Sequence, residues 1–296
     1  MERNLNVDIP GNITEFESLI DKVLPKKFLY KIVLRGKGLE FEGYRDFSFD
    51  EDASNIDWKA SVRSNSLLSR QYIEERDYKI MFIVDMGENM VFGSQDKLKC
   101  EYITELLAAF SHIIIKTGDR IGFILYNKTI FNFSYPLSGK NQHDAFIYEL
   151  INPDNYEGIG DFTKIMDDVK GILNRTIDLV IFISDFLQVK KENKEDFEFF
   201  GNLFETIILS VKDPIDITFP DMNKEIVIED YKTGEKILIN PHIAKNIYEK
   251  NAYEQTQLTR KIFQESNIDY LELFTNEDYK PILAKFLKKR VESKYL

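Results

Sequence analysis

Apolar and polar positions alternate with two different periods along most of this chain. Short apolar runs, typical of buried strands, occur at residues 80–84, 120–126, 130–133, 179–184, 206–211 and 270–274. Apolar residues at helical spacing occur between them, at residues 96–117, 141–150, 162–173, 195–203, 241–266 and 278–290. Strands and helices that alternate at these lengths predict an α/β fold: a doubly wound, mostly parallel six-stranded sheet with helices on both faces.

The first 76 residues have a different pattern. Strand-like runs at residues 28–34, 40–49 and 67–74 accompany a two-turn helix at residues 56–63. A helix at residues 14–23 is predicted, with Thr14 and Glu17 as its capping box and Pro25 after its end. We therefore expect a small N-terminal β-rich module with short helices over residues 1–76 and an α/β domain over residues 77–296.

The α/β pattern is interrupted once, at residues 212–240. Two strand-like segments, residues 225–231 and 236–240, flank the turn sequence Lys232-Thr233-Gly234-Glu235. Segments of this kind on either side of a glycine turn predict a β-hairpin. The hairpin is an insertion, because the alternation of helix and strand resumes after it.

The single tryptophan of the chain lies among charged residues in the N-terminal region. Arg45, Asp57, Trp58, Lys59 and Arg63 form this group, in which Asp57 directly precedes Trp58. Two interpretations are open. The group is a partner-binding patch, because Trp and Arg are frequent interface anchors, or it fastens the N-terminal module to the sheet. We favour the structural role, since a lone Trp normally packs within its own chain.

These same segments carry a family resemblance. The sequence contains Tyr44-Arg45-Asp46, then Ile56-Asp57-Trp58-Lys59-Ala60-Ser61-Val62-Arg63, then Asp85-Met86-Gly87-Glu88-Asn89-Met90. In these motifs it resembles the domain of unknown function 58 family, a von Willebrand factor A-like group often partnered with MoxR-type AAA+ ATPases. The resemblance covers the chain from about residue 38 onward and implies a von Willebrand factor A-like fold for the α/β domain.

Two apolar strands end directly at an aspartate, which makes their ends the candidate site. Residues 80–84 lead into Asp85, and residues 179–184 lead into Asp185. The carboxyl ends of parallel strands meet at one edge of a sheet, where open α/β folds place their sites. Together with Asn89 and Asp161, these residues offer hard oxygen ligands of the kind that Mg²⁺ prefers.

The resemblance implies a metal-ion-dependent adhesion site, from which this sequence departs. That site uses Asp-x-Ser-x-Ser, a Thr from a second loop and an Asp from a third. Asp85 and Asp185 match the two aspartates, but Gly87 and Asn89 stand in place of the serines. In the second loop Gly160 aligns with the threonine, and Thr163 is close enough to leave that register open. We therefore favour a structural role for the two aspartates, as hydrogen-bond acceptors, and expect weak or no Mg²⁺ binding and no other cofactor.

Composition and missing motifs exclude several functions. Thirty-nine basic and fifty acidic residues give a net charge of −11, which argues against nucleic-acid binding. The single cysteine, Cys100, excludes an intramolecular disulfide and a Cys-based zinc site. No phosphate-binding loop, Gly-x-Ser-x-Gly elbow or HExxH motif is present. No apolar run is long enough to span a membrane, and we expect a cytoplasmic protein.

These observations favour a non-catalytic protein-interaction adaptor. The resemblance implies that a MoxR-type AAA+ ATPase is its partner and that the pair assembles or activates a client protein. The alternative is a metal-dependent hydrolase or metal-dependent ligand binder that uses the edge carrying Asp85 and Asp185.

Overall fold

The apolar runs from residue 78 onward form one six-stranded sheet in a computed structural model of the protein, which describes residues 4–23, 40–48, 54, 56–73, 78–218, 226–229 and 236–293. The sheet consists of β3 (Lys79–Asp85), β4 (Arg120–Tyr126), β5 (Ile130–Leu137), β6 (Leu179–Ser184), β7 (Glu205–Lys212) and β10 (Asp269–Phe274). Its strand order is β10-β7-β6-β3-β4-β5, and every pair is parallel except β4 with β5. The predicted six-stranded, mostly parallel sheet is confirmed.

Helices cover both faces of this sheet. They are α1 (Ile9–Val23), α3 (Lys99–Lys116), α4 (Lys140–Ile151), α5 (Phe162–Ile172), α6 (Lys194–Leu203), α7 (Pro241–Glu265) and α8 (Tyr279–Ser293). Side chains of α1, α3, α4 and α8 share one apolar core, and those of α5, α6 and α7 share the other. Among the described helices, none is both long enough and apolar enough to cross a membrane.

The central strands are apolar throughout because both of their faces are covered. In β3, Phe82 belongs to the first core and Ile83 to the second. The Phe82 ring stacks on Phe146 of α4, with ring centroids 5.3 Å apart. Successive residues of a strand point to opposite faces, so a strand covered on both sides reads as a continuous apolar run.

The first helix packs against the α/β core. Phe16 is fully buried, and its ring centroid lies 6.2 Å from that of Tyr279 in α8. The Tyr279 hydroxyl also donates a hydrogen bond to Asn12 Oδ1 at 3.0 Å. This helix therefore shares the core of the α/β domain, while the division of the chain at residue 76 stays a prediction.

The predicted start of that helix is wrong. The helix begins at Ile9, so Thr14 lies inside it and its hydroxyl donates to the carbonyl oxygen of Pro10 at 2.9 Å. The Asp8 carboxylate accepts a hydrogen bond from the Gly11 backbone N–H at 3.0 Å. It thereby provides an acceptor for one backbone N–H group of the first turn, which has no partner within the helix. Proline is favoured in a first helical turn, because no intrahelical hydrogen bond is lost there; Asp8 and Pro10 were the better signal.

The N-terminal β-rich segment and the inserted hairpin are both present. Strands β1 (Glu40–Asp46) and β2 (Leu68–Ile73) pair antiparallel, with the short helix α2 (Trp58–Ser64) between them in sequence. Strands β8 (Ile226–Glu229) and β9 (Lys236–Ile239) form the antiparallel hairpin. The strand expected at residues 28–34 lies outside the described residues.

Candidate functional site

Asp85 and Asp185 meet at the carboxyl edge of the sheet. Asp85 is the last residue of β3, and Asp185 directly follows β6, the strand beside it. The side-chain amide of Asn89 connects the two: Nδ2 donates to Asp85 Oδ2 at 3.2 Å and to Asp185 Oδ2 at 2.9 Å. The assignment of amide nitrogen and oxygen follows from this network, since carboxylates only accept hydrogen bonds when ionised.

The Asp85 carboxylate is buried and fully engaged. Its Oδ1 accepts the Gly87 backbone N–H at 2.9 Å, and its Oδ2 accepts the Ser184 hydroxyl at 2.7 Å. Burial raises the pKa of Asp85 to about 6, and the negative charge of Asp185 adds to this, while the hydrogen bonds from Ser184, Gly87 and Asn89 oppose it. Desolvation disfavours the ionised form of a carboxyl group, which accounts for the direction.

A buried lysine, Lys99, completes the network. It is the first residue of α3 and only 1% exposed. Its Nζ donates to Asp185 Oδ2 at 2.9 Å and to Asp216 Oδ2 at 3.1 Å. Burial acts to lower the pKa of Lys99, but the charges of the two carboxylates outweigh burial and leave the pKa raised. The ammonium group is therefore charged at neutral pH.

The loop after β7 contributes two further carboxylates to the network, those of Asp213 and Asp216. Burial acts to raise the pKa of Asp213, but hydrogen bonds outweigh it and lower the pKa. Its carboxylate accepts the Ser94 backbone N–H at 2.9 Å and the Thr275 hydroxyl at 2.9 Å. The Asp213 backbone N–H in turn donates to Asp216 Oδ2 at 2.8 Å. One polar network thus connects the ends of β3, β6 and β7.

The sequence did not reveal Lys99 or Asp216 as members of this site. Asp216 stands in the short turn that follows Asp213-Pro214, and Lys99 stands at a helix start, where the helix dipole disfavours a cation. The signal that the sequence offered was a lysine at the first position of a helix whose other residues are mostly apolar.

Asp161 is not part of this network. It precedes α5, and its Oδ1 accepts the backbone N–H groups of Thr163 at 3.0 Å and Lys164 at 3.4 Å. Its side chain is a helix N-cap, a role for which aspartate is favoured. Within the described part of the chain, no three His, Cys, Asp or Glu side chains are grouped so that they could hold a metal ion.

The residues present do not fit the Mg²⁺ site that the resemblance implies. A Cβ atom at Gly87 would lie 2.4 Å from Asn89 Oδ1, and one at Gly160 would lie 2.6 Å from the Lys128 carbonyl oxygen. A side chain at Gly160 therefore collides with the backbone, and one at Gly87 requires the Asn89 side chain to move. Asn89 presents N–H groups rather than oxygen to the two carboxylates, and Mg²⁺ demands oxygen ligands in near-octahedral geometry. The weak Mg²⁺ binding expected from the sequence stays a prediction.

The space at this edge is small. A cavity of about 10 Å³ is lined by Asp85, Tyr126, Gly160, Ser184 and Asp185, with further residues of the same loops. A cavity of this volume holds about one water molecule. It has no room for an organic substrate beside the two aspartates.

The tryptophan group of the N-terminal region lies at the surface, so the packing role expected for Trp58 is wrong. Asp57 caps α2, with its Oδ1 accepting the Lys59 and Ala60 backbone N–H groups at 3.0 and 3.1 Å. Ser61 is the buried residue of this helix, and its hydroxyl accepts the Leu68 backbone N–H at 2.8 Å. Trp58, at the start of the helix, points outward and is 64% exposed.

Four residues of α2 form what we call the Trp58 surface: Trp58, Lys59, Val62 and Arg63. Trp58 and Val62 are one helical turn apart, as are Lys59 and Arg63, so an apolar and a basic pair lie side by side. Val62 is 82% exposed. An open groove of about 710 Å³ runs along this helix, with Tyr44 among the residues that line it. Arg45, on β1, is also exposed.

Comparison with known proteins gives weak overall similarities. Uncharacterized proteins of Mycobacterium bovis and Mycobacterium tuberculosis are each 22% identical over 262 residues, which are 87% of this chain and 81% of the relative.

Among solved structures, an aerotolerance-related membrane protein from Bacteroides fragilis is 12% identical, with a TM-score of 0.43 over 72% of this chain and 98% of that chain. A von Willebrand factor type A protein from Catenulispora acidiphila is 11% identical, with a TM-score of 0.41 over 76% of this chain and 44% of the other.

The family comparison covers both features described above. The family model described as "Protein of unknown function DUF58" matches residues 43–258. This range includes the Trp58 surface as well as Asp85, Lys99, Asp185 and Asp216 of the network at the carboxyl edge, and it extends over most of the chain. The protein therefore belongs to the DUF58 family.

Proposed function

We propose that this protein is a non-catalytic protein-interaction adaptor, and that a MoxR-type AAA+ ATPase is its partner in the assembly or activation of a client protein. The observation that carries the proposal is the exposure of Trp58 beside two basic side chains. The family resemblance supplies the class of partner. No membrane or nucleic-acid ligand is part of the proposal, in keeping with the net charge of −11.

An exposed tryptophan of this kind is typical of an interface anchor. Trp and Arg are enriched among the few residues that carry most of the binding free energy of an interface. Trp58 is 64% exposed, and Val62 presents a further apolar side chain on the same helix face. A partner that covers both would remove their apolar surface from water, which is the main driving force for association.

The charge beside Trp58 favours an acidic segment of the ATPase as the bound element. Neither Lys59 nor Arg63 forms an ion pair with another side chain that the structure describes. Both are exposed, so they are available to carboxylates of a partner. A local basic patch on a protein of net charge −11 also directs an acidic segment to this surface rather than elsewhere.

The carboxyl edge supports a non-catalytic protein. Asp85 and Asp185 accept hydrogen bonds from neighbouring groups, and Lys99 is buried against two carboxylates. A general base or nucleophile must reach the atom that it attacks, whereas the cavity here holds about one water molecule. We therefore do not propose the metal-dependent hydrolase as a second function.

Capture of a purified MoxR-type ATPase from the same organism tests the proposal. Immobilised wild-type protein should bind the ATPase, and Trp58→Ala should weaken binding about 30-fold, which corresponds to about 2 kcal/mol for an interface anchor. Lys59→Glu with Arg63→Glu should weaken it as well, with a loss that shrinks at high salt. Tyr253→Ala, a change at another exposed aromatic side chain, on α7, is the matched control.

Two results would contradict different parts of the proposal. If the wild-type protein does not bind the ATPase, the class of partner is wrong. If binding is strong but Trp58→Ala and Tyr253→Ala bind alike, the partner is right and the surface is wrong.

A further inference from the structure

The network at the carboxyl edge contains more negative than positive charge. Asp85, Asp185 and Asp216 contribute carboxylates, and Lys99 is the basic side chain that contacts two of them. Carboxylates this close raise one another's energy in the ionised form, as the effect of Asp185 on Asp85 illustrates. A cation is needed if the group is to stay ionised inside the fold.

Lys99 is held at its position by these carboxylates. Both burial and the N-terminal end of a helix disfavour an ammonium group, yet Lys99 is 1% exposed at the first position of α3. Two ion pairs, of 2.9 and 3.1 Å, offset these unfavourable effects. Asp185 Oδ2 and Asp216 Oδ2 both contact the Lys99 ammonium. Two carboxylate oxygens around a bound metal cation would be arranged in the same way.

We propose that the Lys99 ammonium is the resident cation of this edge and takes the electrostatic place of a divalent metal ion. Gly87 and Gly160 offer no side-chain ligand, and Asn89 Nδ2, not an oxygen, bridges Asp85 and Asp185. Lys99 then supplies the positive charge of the network without a metal. A protein that lacks the ammonium should gain affinity for a divalent cation between Asp185 and Asp216. This inference does not depend on the proposed adaptor function.

The geometry also indicates which cation the altered site should prefer. Truncation of Lys99 at Cβ removes the chain from Cγ to Nζ and leaves two carboxylate oxygens facing the freed space, in which water can complete a coordination shell. Ca²⁺ accepts irregular sets of oxygen ligands, whereas Mg²⁺ demands near-ideal octahedral geometry. Ca²⁺ should therefore have the larger effect.

Thermal unfolding of Lys99→Ala in EDTA and in millimolar Ca²⁺ or Mg²⁺ tests the inference. Lys97→Ala is the matched control, because Lys97 pairs with Glu105 and contacts neither Asp185 nor Asp216. We expect Lys99→Ala to melt lower than wild type in EDTA and to recover part of the loss in Ca²⁺. For wild type and for Lys97→Ala, the melting temperature of each protein should be the same with and without the ion. Adding Asp185→Asn to Lys99→Ala should abolish the recovery.

Two outcomes would overturn the inference. One is a Lys99→Ala protein whose melting temperature does not respond to either ion. The other is a wild-type protein that binds Mn²⁺, measured by electron paramagnetic resonance, at a site that Asp185→Asn removes. The second measurement needs no Lys99 variant, so it decides the question even if Lys99→Ala does not fold.

Discussion

The stability of the protein should carry a signature of the buried Asp85 between about pH 5 and pH 7.5. The pKa of Asp85 is raised from its ordinary 3.8 to about 6, chiefly by burial and secondly by the charge of Asp185. The folded protein then binds a proton that the unfolded chain has already released. Stability should therefore rise as the pH falls through about 6, and the gain should continue toward 3.8.

The size of the effect follows from that shift. At about pH 7.5 the carboxyl is ionised in both states, and a shift from 3.8 to about 6 destabilises the fold by about 3 kcal/mol. At about pH 5 Asp85 is mostly protonated in the folded protein and mostly ionised in the unfolded chain, so roughly half of this destabilisation remains. Asp85 should thus contribute a gain of about 1–2 kcal/mol between the two pH values.

Asp85→Asn removes the titration, and urea denaturation at both pH values, in EDTA, measures the difference. Burial, and secondly His143, lowers the pKa of His112, so His112 opposes Asp85 in this window by destabilising the fold as it gains a proton. Wild type and variant share that term, and only their difference isolates Asp85. Asp168→Asn, at an exposed carboxylate, is the control and should follow wild type. Parallel pH profiles for wild type and Asp85→Asn would refute the reasoning.

Three further predictions concern stability. Trp58→Ala should change the free energy of unfolding by less than about 0.5 kcal/mol, since its side chain is exposed, and wild-type emission should be red-shifted and readily quenched by acrylamide; blue-shifted, protected emission would contradict this. Phe16→Ala should lower the free energy of unfolding in urea by about 3–5 kcal/mol, because the ring is fully buried beside Tyr279; a change near zero would mean that α1 does not belong to the core. Gly160→Thr should lower the free energy of unfolding by about 1–3 kcal/mol, because the added Cβ meets the Lys128 carbonyl oxygen. A variant that melts like wild type, or that Mg²⁺ stabilises, would argue against this crowding.

Much of the fold could be read from the sequence because the central strands are buried on both faces. Such strands give continuous apolar runs, and two of them, Arg120–Tyr126 and Leu179–Ser184, have the predicted bounds. The meeting of Asp85 and Asp185 was predictable for a related reason. Parallel strands place their carboxyl ends at one edge, so two residues far apart in sequence come together once the strands are neighbours.

Local signals were less reliable where two of them competed. Thr14 and Glu17 have the spacing of a capping box, yet the helix begins five residues before Thr14, with Asp8 before its first residue and Pro10 in its first turn. In α2 the lone tryptophan Trp58 was expected to pack within the chain, but Ser61 is the residue that the fold buries. A short helix with few apolar residues does not determine from its own sequence which face turns inward.

The sequence by itself determined the succession of strands and helices along the chain and the aspartates at the strand ends, because these depend on periodicities within single segments. Only the tertiary structure decided how the charges at that edge are balanced. Lys99 contacts Asp185 and Asp216, 86 and 117 positions away in sequence, and no local pattern specifies contacts over such separations. The exposure of Trp58 was decided in the same way, since burial depends on which surface the rest of the chain covers.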